Sequence, residues 1–336
     1  MRWGVLGTVI IWLLAGLRPP FDAGVSAEPT PLPDSGQERQ QASSSSPVFQ
    51  SGTDLVVLSV TVTDGKRRFV GGLNERDFLV LEDNVKQDIS FFVPGYLPLD
   101  LAILLDLSSS MLANLPTAQR AALRLVEAIR PGDRVTVVAF HDRAEVLSPL
   151  SHDIPSAVRA IRRATTHGAT ALYNALYVTL HELSRTRGDG AGVRRQAIVV
   201  LSDGEDNRSL IPFEDVMDAA KSSAIAIYAI GLSPRTAVLA TRMDRFSRAR
   251  FVLNGLAQET GARAFFPTDP RDLNDIYGQI AEELTHQYTL GYVPTNARRD
   301  GAFRRVSAQI VDRPEMMART RSGYKAPSPV TATAFP

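Results

Sequence analysis

Three short segments of this 336-residue chain carry oxygen donors of the kind that hold a hard metal ion. The first is Asp106-Leu107-Ser108-Ser109-Ser110, a D-x-S-x-S pattern; the second is Gly168-Ala169-Thr170; the third is Ser202-Asp203-Gly204. Asp106 and Asp203 supply the two negative charges that neutralise a dication. The hydroxyls of Ser108, Ser110 and Thr170 fill coordination positions without adding charge. Mg²⁺ suits such a set, because it wants near-octahedral oxygen at about 2.1 Å and usually keeps waters in place of a full protein cage. Mn²⁺ or Ca²⁺ are the alternative ions. A position left open keeps the ion's Lewis acidity, and an Asp or Glu carboxylate from a protein partner is its natural occupant.

The elements that must position these donors read as an alternation of strands and helices. Leu99 to Leu105 is a nearly continuous apolar run, as a strand buried on both faces requires. Ala118, Ala121, Ala122, Leu125, Val126 and Ile129 then recur at helical spacing up to Pro131-Gly132. Val135 to Phe140 is the next strand, and Ala144 to Leu147 a short one antiparallel to it. Helices follow at about 154–163 and 171–186. Strands at Ala197–Leu201 and Ala224–Ile230 flank a helix opened by Pro212. In the last helix Asp269 is the cap, and Leu273, Ile276, Tyr277, Ile280, Ala281 and Leu284 form one apolar stripe. This alternation predicts a doubly wound α/β fold, a mostly parallel sheet with helices on both faces. Ligands of such sheets sit beyond the carboxyl ends of the strands, where the three donor segments fall. Taken singly, Ser108, Ser110 and Thr170 read equally as helix caps and Asp203-Gly204 as a turn. Their joint occurrence on one sheet edge favours the metal.

D-x-S-x-S after the first strand, a Thr in a G-x-T loop and an Asp-Gly after a later apolar strand resemble the metal-ion-dependent adhesion site (MIDAS) of von Willebrand factor A domains. The resemblance covers about 97–286. The flanks, Ser59-Val60-Thr61-Val62-Thr63-Asp64-Gly65 and Tyr288-Thr289-Leu290-Gly291-Tyr292, look like a bacterial exported subfamily of these proteins. The resemblance implies that Asp106, Ser108, Ser110, Thr170 and Asp203 are the metal residues. It also implies a domain that binds proteins or matrix ligands through an acidic residue and is not itself a catalyst.

Outside that core, residues 50–96 alternate as strands: Val56, Leu58, Val60 and Val62, then Phe78 to Leu81, a polar turn at Glu82-Asp83-Asn84, and Ile89 to Phe92. Residues 287–326 return to the same pattern at Tyr288–Val293, Phe303–Val311 and Ala318–Tyr324. A covered sheet cannot easily be extended, so these segments are expected to pack with 50–96 as one small β domain. Residues 1–27 read as a secretory signal, with Arg2, an apolar run from Trp3 to Leu17 and small residues at Val25-Ser26-Ala27. Residues 28–49, rich in Pro, Ser and Gln, read as a linker, and 327–336 as a tail. The expected location is the periplasm, the envelope or the extracellular space, with no transmembrane segment once the signal is cleaved. The absence of cysteine excludes thiolate metal sites and disulfides. A formal net charge of +1 gives no global field for nucleic acid.

Further residues near the donor segments are ranked below them as ligand contacts: Ser109, His167, Gly168, Glu205 and Asp206. Glu205 and Asp206 read first as a solvated acidic loop. His167 reads as a loop histidine with no second histidine nearby. His141-Asp142 and His152-Asp153 read as turn and cap chemistry. The stretch from Ser233 to Arg250, with Arg235, Arg242, Arg245, Arg248 and Arg250, reads as a basic insertion between a strand and the next helix. No G-x-S-x-G elbow, phosphate loop or H-E-x-x-H helix occurs. A metal-assisted hydrolase using the same oxygens, or a metal-free structural protein, are the alternatives to a binding module.

Overall fold

Alternating burial along Val56–Thr63 forms the first strand, β1, whose Val56, Leu58, Val60 and Val62 face inward. The computed structural model describes residues 55–188, 192–202, 206–232 and 240–328. The expected signal, the linker, Asp203 and Glu205 lie outside the described residues, as does Arg235 and all of the tail after Ser328. Three strands follow β1: β2 (Phe78–Glu82), β3 (Val85–Gln87) and β4 (Ile89–Val93). The expected polar turn is corrected at its first residue. Glu82 ends β2 as a buried carboxylate, because the hydroxyls of Tyr292 and Tyr324 each donate to its Oε2 at 2.8 Å. Asp83 and Asn84 make the turn itself with φ of 46° and 65°, the left-handed pair that tight hairpins require.

The α/β part begins at β5 (Leu99–Asp106) and continues through α1 (Leu115–Glu127), β6 (Arg134–Phe140), β7 (Ala144–Ser151), α2 (Ile154–Arg163) and α3 (Leu172–Arg185). It then runs through β8 (Arg195–Ser202), α4 (Phe213–Ser222), β9 (Ile225–Gly231), α5 (Ala240–Glu259), β10 (Ala264–Phe265) and α6 (Leu273–Thr285). The sheet order is β10-β9-β8-β5-β6-β7, parallel except for β7. All eight residues of β5 are buried. Leu101, Ile103 and Leu105 pack with α1, α2 and α6, while Ala102 and Leu104 pack with α3, α4 and α5. Both faces are covered, which is why the run is apolar without alternation.

Two elements differ from expectation. β10 is a two-residue strand, too short to leave a pattern. The basic stretch is not a plain insertion, since α5 begins at Ala240 within it. Among the described residues, Val252, Leu253 and Leu256 seat this helix in the core, beyond the arginine-rich stretch that hides its period in the sequence.

Four more strands close the chain: β11 (Tyr288–Tyr292), β12 (Phe303–Ile310), β13 (Met317–Arg319) and β14 (Gly323–Lys325). The segment read as a single strand from 318 to 324 is therefore two. Each joins a different four-stranded sheet, β13-β1-β11-β4 or β14-β12-β2-β3, and both sheets mix strands from the two flanks. Their apolar faces share one core, with Leu58, Val60 and Leu290 from the first sheet and Val80, Val306 and Ile310 from the second. Among the described residues no helix is long and apolar enough to cross a membrane.

Candidate metal centre

Asp106 is the last residue of β5, where the strand leaves the sheet centre and its carboxylate meets the loops. The side chain is 1% exposed. Its Oδ1 accepts from the Ser108 N–H at 2.9 Å and its Oδ2 from the Ser202 hydroxyl at 2.6 Å. Ser202 closes β8, the neighbouring strand, and immediately precedes Asp203. Sequence reasoning passed over this serine, although its place in Ser-Asp-Gly at a strand end was the available signal. Ser108 is buried and Ser110 exposed, and their hydroxyls lie 3.0 Å apart.

Backbone hydrogen bonds bring the second segment to the first. The His167 N–H donates to the Leu107 carbonyl at 2.7 Å, and the Ser109 N–H and hydroxyl both donate to the Gly168 carbonyl, at 3.1 and 3.0 Å. Ser109 is thus a fastener between the loops. Gly168 has φ of 72°, a backbone conformation that favours glycine, and a Cβ there would in addition have to displace the Asp142 carboxylate. Asp142 in turn accepts from the Ala169 N–H at 3.1 Å, a bond across loops and not the turn expected of it. Thr170, 2% exposed, sits at the end of this clamp, one residue before the cap of α3.

Residues 206–209, which follow the third segment in sequence, are tied to the second from its far side. Asn207 Oδ1 accepts from the Thr170 N–H at 3.0 Å, and the N–H groups of Asn207 and Arg208 return two bonds of 3.1 Å to the Thr170 carbonyl. The expected solvated acidic loop is corrected at Asp206. Its Oδ1 accepts from Ser209 N–H, and its Oδ2 from the Tyr173 N–H at 2.8 Å and the Ser209 hydroxyl at 2.6 Å. The Ser209 hydroxyl accepts from the Asn174 N–H at 3.0 Å. Ala171, the N-cap residue of α3, has no capping side chain, so Asp206 and Ser209 satisfy the orphan N–H groups of the first turn. Tyr173, beside them, has its phenol pushed up by burial and then by the charge of Asp206.

His167 also departs from expectation, because a second histidine does lie beside it. The His141 ring, 6% exposed at the end of β6, stands 4.0 Å from the His167 ring. The two are far apart in sequence and meet because both loops leave the same sheet edge. Burial, then the charge of His167, lowers the His141 pKa, against the opposing charges of Asp142 and Glu145. His152-Asp153 conforms to the expected capping, with Asp153 accepting from the Ser156 N–H.

The candidate donors gathered at this edge are oxygens, the buried carboxylate of Asp106 and the hydroxyls of Ser108 and Ser110, with Thr170 joined to their loop through its neighbours' backbone. Hard oxygens with few formal charges fit Mg²⁺ or Mn²⁺ better than a softer ion. Among the described residues no group of three or more His, Asp or Glu side chains is arranged to hold a metal. That count takes in neither hydroxyl ligands nor Asp203.

Residues 101–205 match the family model described as the von Willebrand factor type A domain. An uncharacterized protein of Synechocystis sp. (strain ATCC 27184 / PCC 6803 / Kazusa) is 33% identical over 113 residues, which cover 33% of this chain and 26% of that protein. The chain thus spans about a quarter of the length of that relative. Among solved structures, the von Willebrand factor type A protein from Catenulispora acidiphila is 13% identical with a TM-score of 0.47, covering 84% of this chain and 76% of that one. Proximal thread matrix protein 1 from the mussel byssus, with a zinc occupied MIDAS motif, is 22% identical with a TM-score of 0.43 over 57% of this chain and 46% of that one.

Proposed function

We propose that this chain is an exported binding module that holds a divalent cation, Mg²⁺ first, and uses it to grip an Asp or Glu carboxylate of a protein partner. Asp106 and Asp203 neutralise the ion, and Ser108, Ser110 and Thr170 complete its oxygen environment. When bound, the ion supplies a Lewis-acidic position open to an incoming carboxylate. The role is recognition and not turnover. The strands of 50–96 and 287–326 form a second domain that carries the α/β layer.

The observation that supports this reading is the buried Asp106 carboxylate at the end of β5. It is flanked by hydroxyls, and backbone bonds tie its loop to that of Thr170, whose other side meets Asn207 just beyond Asp203. Two hydrogen bonds hold this carboxylate at the strand end, and a bound dication would neutralise its charge there.

The test is a pull-down from envelope fractions with and without chelator, with Asp106→Ala as the control. A partner captured in Mg²⁺, and lost both in chelator and in the variant, is the expected result. A partner retained under both conditions overturns the metal-mediated grip.

A further inference from the structure

A cleft of about 800 Å³ opens at the other end of the central strands from the metal loops, where the α/β layer meets the sandwich. Arg187, Arg194, Arg195, Arg298, Arg299 and Arg321 line it together with Lys325, and Asp100 is the one carboxylate among the described lining residues. Asp100, the second residue of β5, does not balance them. Its oxygens accept from Arg134 at 2.8 and 2.7 Å and from Arg194 at 2.8 Å. Arg195 is engaged by the carbonyls of Leu97 and Leu284, and Lys325 by Asp218.

Arg187 and Arg321 have no such counter-charge. Among the described residues neither forms an ion pair. Arg187 donates through Nε to the neutral amide of Gln196 at 2.9 Å. Arg321 reaches the Ser223 carbonyl through Nη1 at 3.3 Å, while its Nε is enclosed and has no hydrogen-bond partner among the described residues. Burial, then the nearby charge of Arg187, disfavours the cationic form of Arg321. Two guanidinium groups thus line one cleft with no carboxylate paired to either among the described residues, an arrangement that an anion would balance. The guanidinium fork matches the paired oxygens of phosphate and carboxylate groups. Val56, Val57, Val293 and Tyr324 give the same cleft an apolar wall for an organic body.

We propose that this cleft binds a small organic oxyanion carrying at least two negative charges, a phosphate ester or a polycarboxylate, held between Arg187 and Arg321. The site is separate from the metal loops and does not depend on them.

The test is calorimetric titration of the full chain, in chelator, with inorganic pyrophosphate and with citrate, against sodium chloride of matched ionic strength. Saturable 1:1 uptake of one or both probes is expected, weakened at least tenfold by Arg321→Gln and by Arg187→Gln and unchanged by Arg120→Gln on the surface of α1. Pyrophosphate alone assigns the phosphate class, citrate alone the polycarboxylate class, and both a general oxyanion site. If Arg321→Gln does not fold, Arg187→Gln decides, because its side chain is exposed to the cleft. Uptake of neither probe, an effect equal to that of chloride, or affinity unmoved by the arginine variants overturns the proposal.

Discussion

The phenol of Tyr228 on β9 donates a 2.7 Å hydrogen bond to Oε1 of Glu283 on α6, and both side chains are buried. The same carboxylate accepts from Arg319 of β13 at 2.5 Å and from Thr61 of β1 at 3.4 Å. Gln287 adds bonds to Tyr228 and Thr61 and accepts one from Arg195. One enclosed polar cluster therefore fastens the sandwich to the α/β layer, and it explains why Thr61 breaks the alternation of β1.

Removing the Tyr228 hydroxyl should loosen that junction. Tyr228→Phe deletes two hydrogen bonds and leaves Glu283 and Gln287 short of partners in a buried setting. The expected loss is about 1–3 kcal/mol. Urea denaturation measures it as a lowered midpoint with an unchanged slope. Stability equal to the parent's would deny the cluster its fastening role.

The fold should fail at alkaline pH through its tyrosines. Burial, then the Glu283 charge, raises the Tyr228 pKa, and burial alone raises that of Tyr277. For Tyr292 and Tyr324 burial acts first and the hydrogen bond to Glu82 second, in the same direction. The folded values lie above the unfolded value of about 10. This contribution to stability is thus intact below about pH 10 and is lost as pH rises towards the folded values. Phenolate absorbance should rise first for accessible tyrosines and then in one step that coincides with loss of far-ultraviolet circular dichroism. Smooth ionisation of all eight tyrosines without unfolding is the contrary outcome.

Cation binding should appear as thermal stabilisation. Mg²⁺ at a hundred times its dissociation constant adds about 2.7 kcal/mol if it binds only the folded state. That corresponds to a rise on the order of 5–10 °C for a domain of this size. Chelator should reverse it, and Asp106→Ala should abolish it. A thermal midpoint indifferent to millimolar Mg²⁺ and Mn²⁺ counts against the metal.

Gly168→Ala combines a left-handed backbone with a clash against Asp142. A destabilisation of roughly 1–3 kcal/mol is expected from the strain, with at least a tenfold loss of Mg²⁺ affinity because Thr170 follows two residues later. Adding Asp142→Gly should recover part of the stability by removing the steric term. Calorimetry on the single and double variants separates the two effects.

Asp206 and Asp106 should part company. Asp206→Ala removes the cap lent to α3 and should lower stability by about 1–2 kcal/mol, while Mg²⁺ affinity falls less than tenfold. Equal loss of the metal in Asp206→Ala and Asp106→Ala would make Asp206 a ligand after all.

The doubly wound sheet could be read in advance because both-face burial leaves an unmistakable mark, as at Leu99 to Leu105. The loops that carry Asp106 and Thr170 were legible for the same reason, each abutting an element with a clear period. What stayed hidden depends on contacts between distant segments. Nothing local announces that Glu82 is enclosed by two tyrosine hydroxyls, that Glu283 lies inside an apolar helix stripe, or that the His141 ring lies against His167. Asp206 looked like a surface acid because its partners, the N–H groups of α3, belong to another part of the chain. α5 was blurred because Arg242, Arg245, Arg248 and Arg250 break up the apolar period of its first part.

The interleaving of the two flanks in both sandwich sheets has a consequence for biosynthesis. Strand β1 lies between β11 and β13, and Thr61 stands 222 positions from Glu283. On a growing polypeptide β1 to β4 must wait, apolar face unburied, until nearly the whole chain has been made. A product that stops early retains its α/β layer yet presents unpaired strand edges, which invite aggregation or proteolysis. The sandwich sheets therefore close only after residues 288–325 have been made, because β1 and β2 take partners from that later segment.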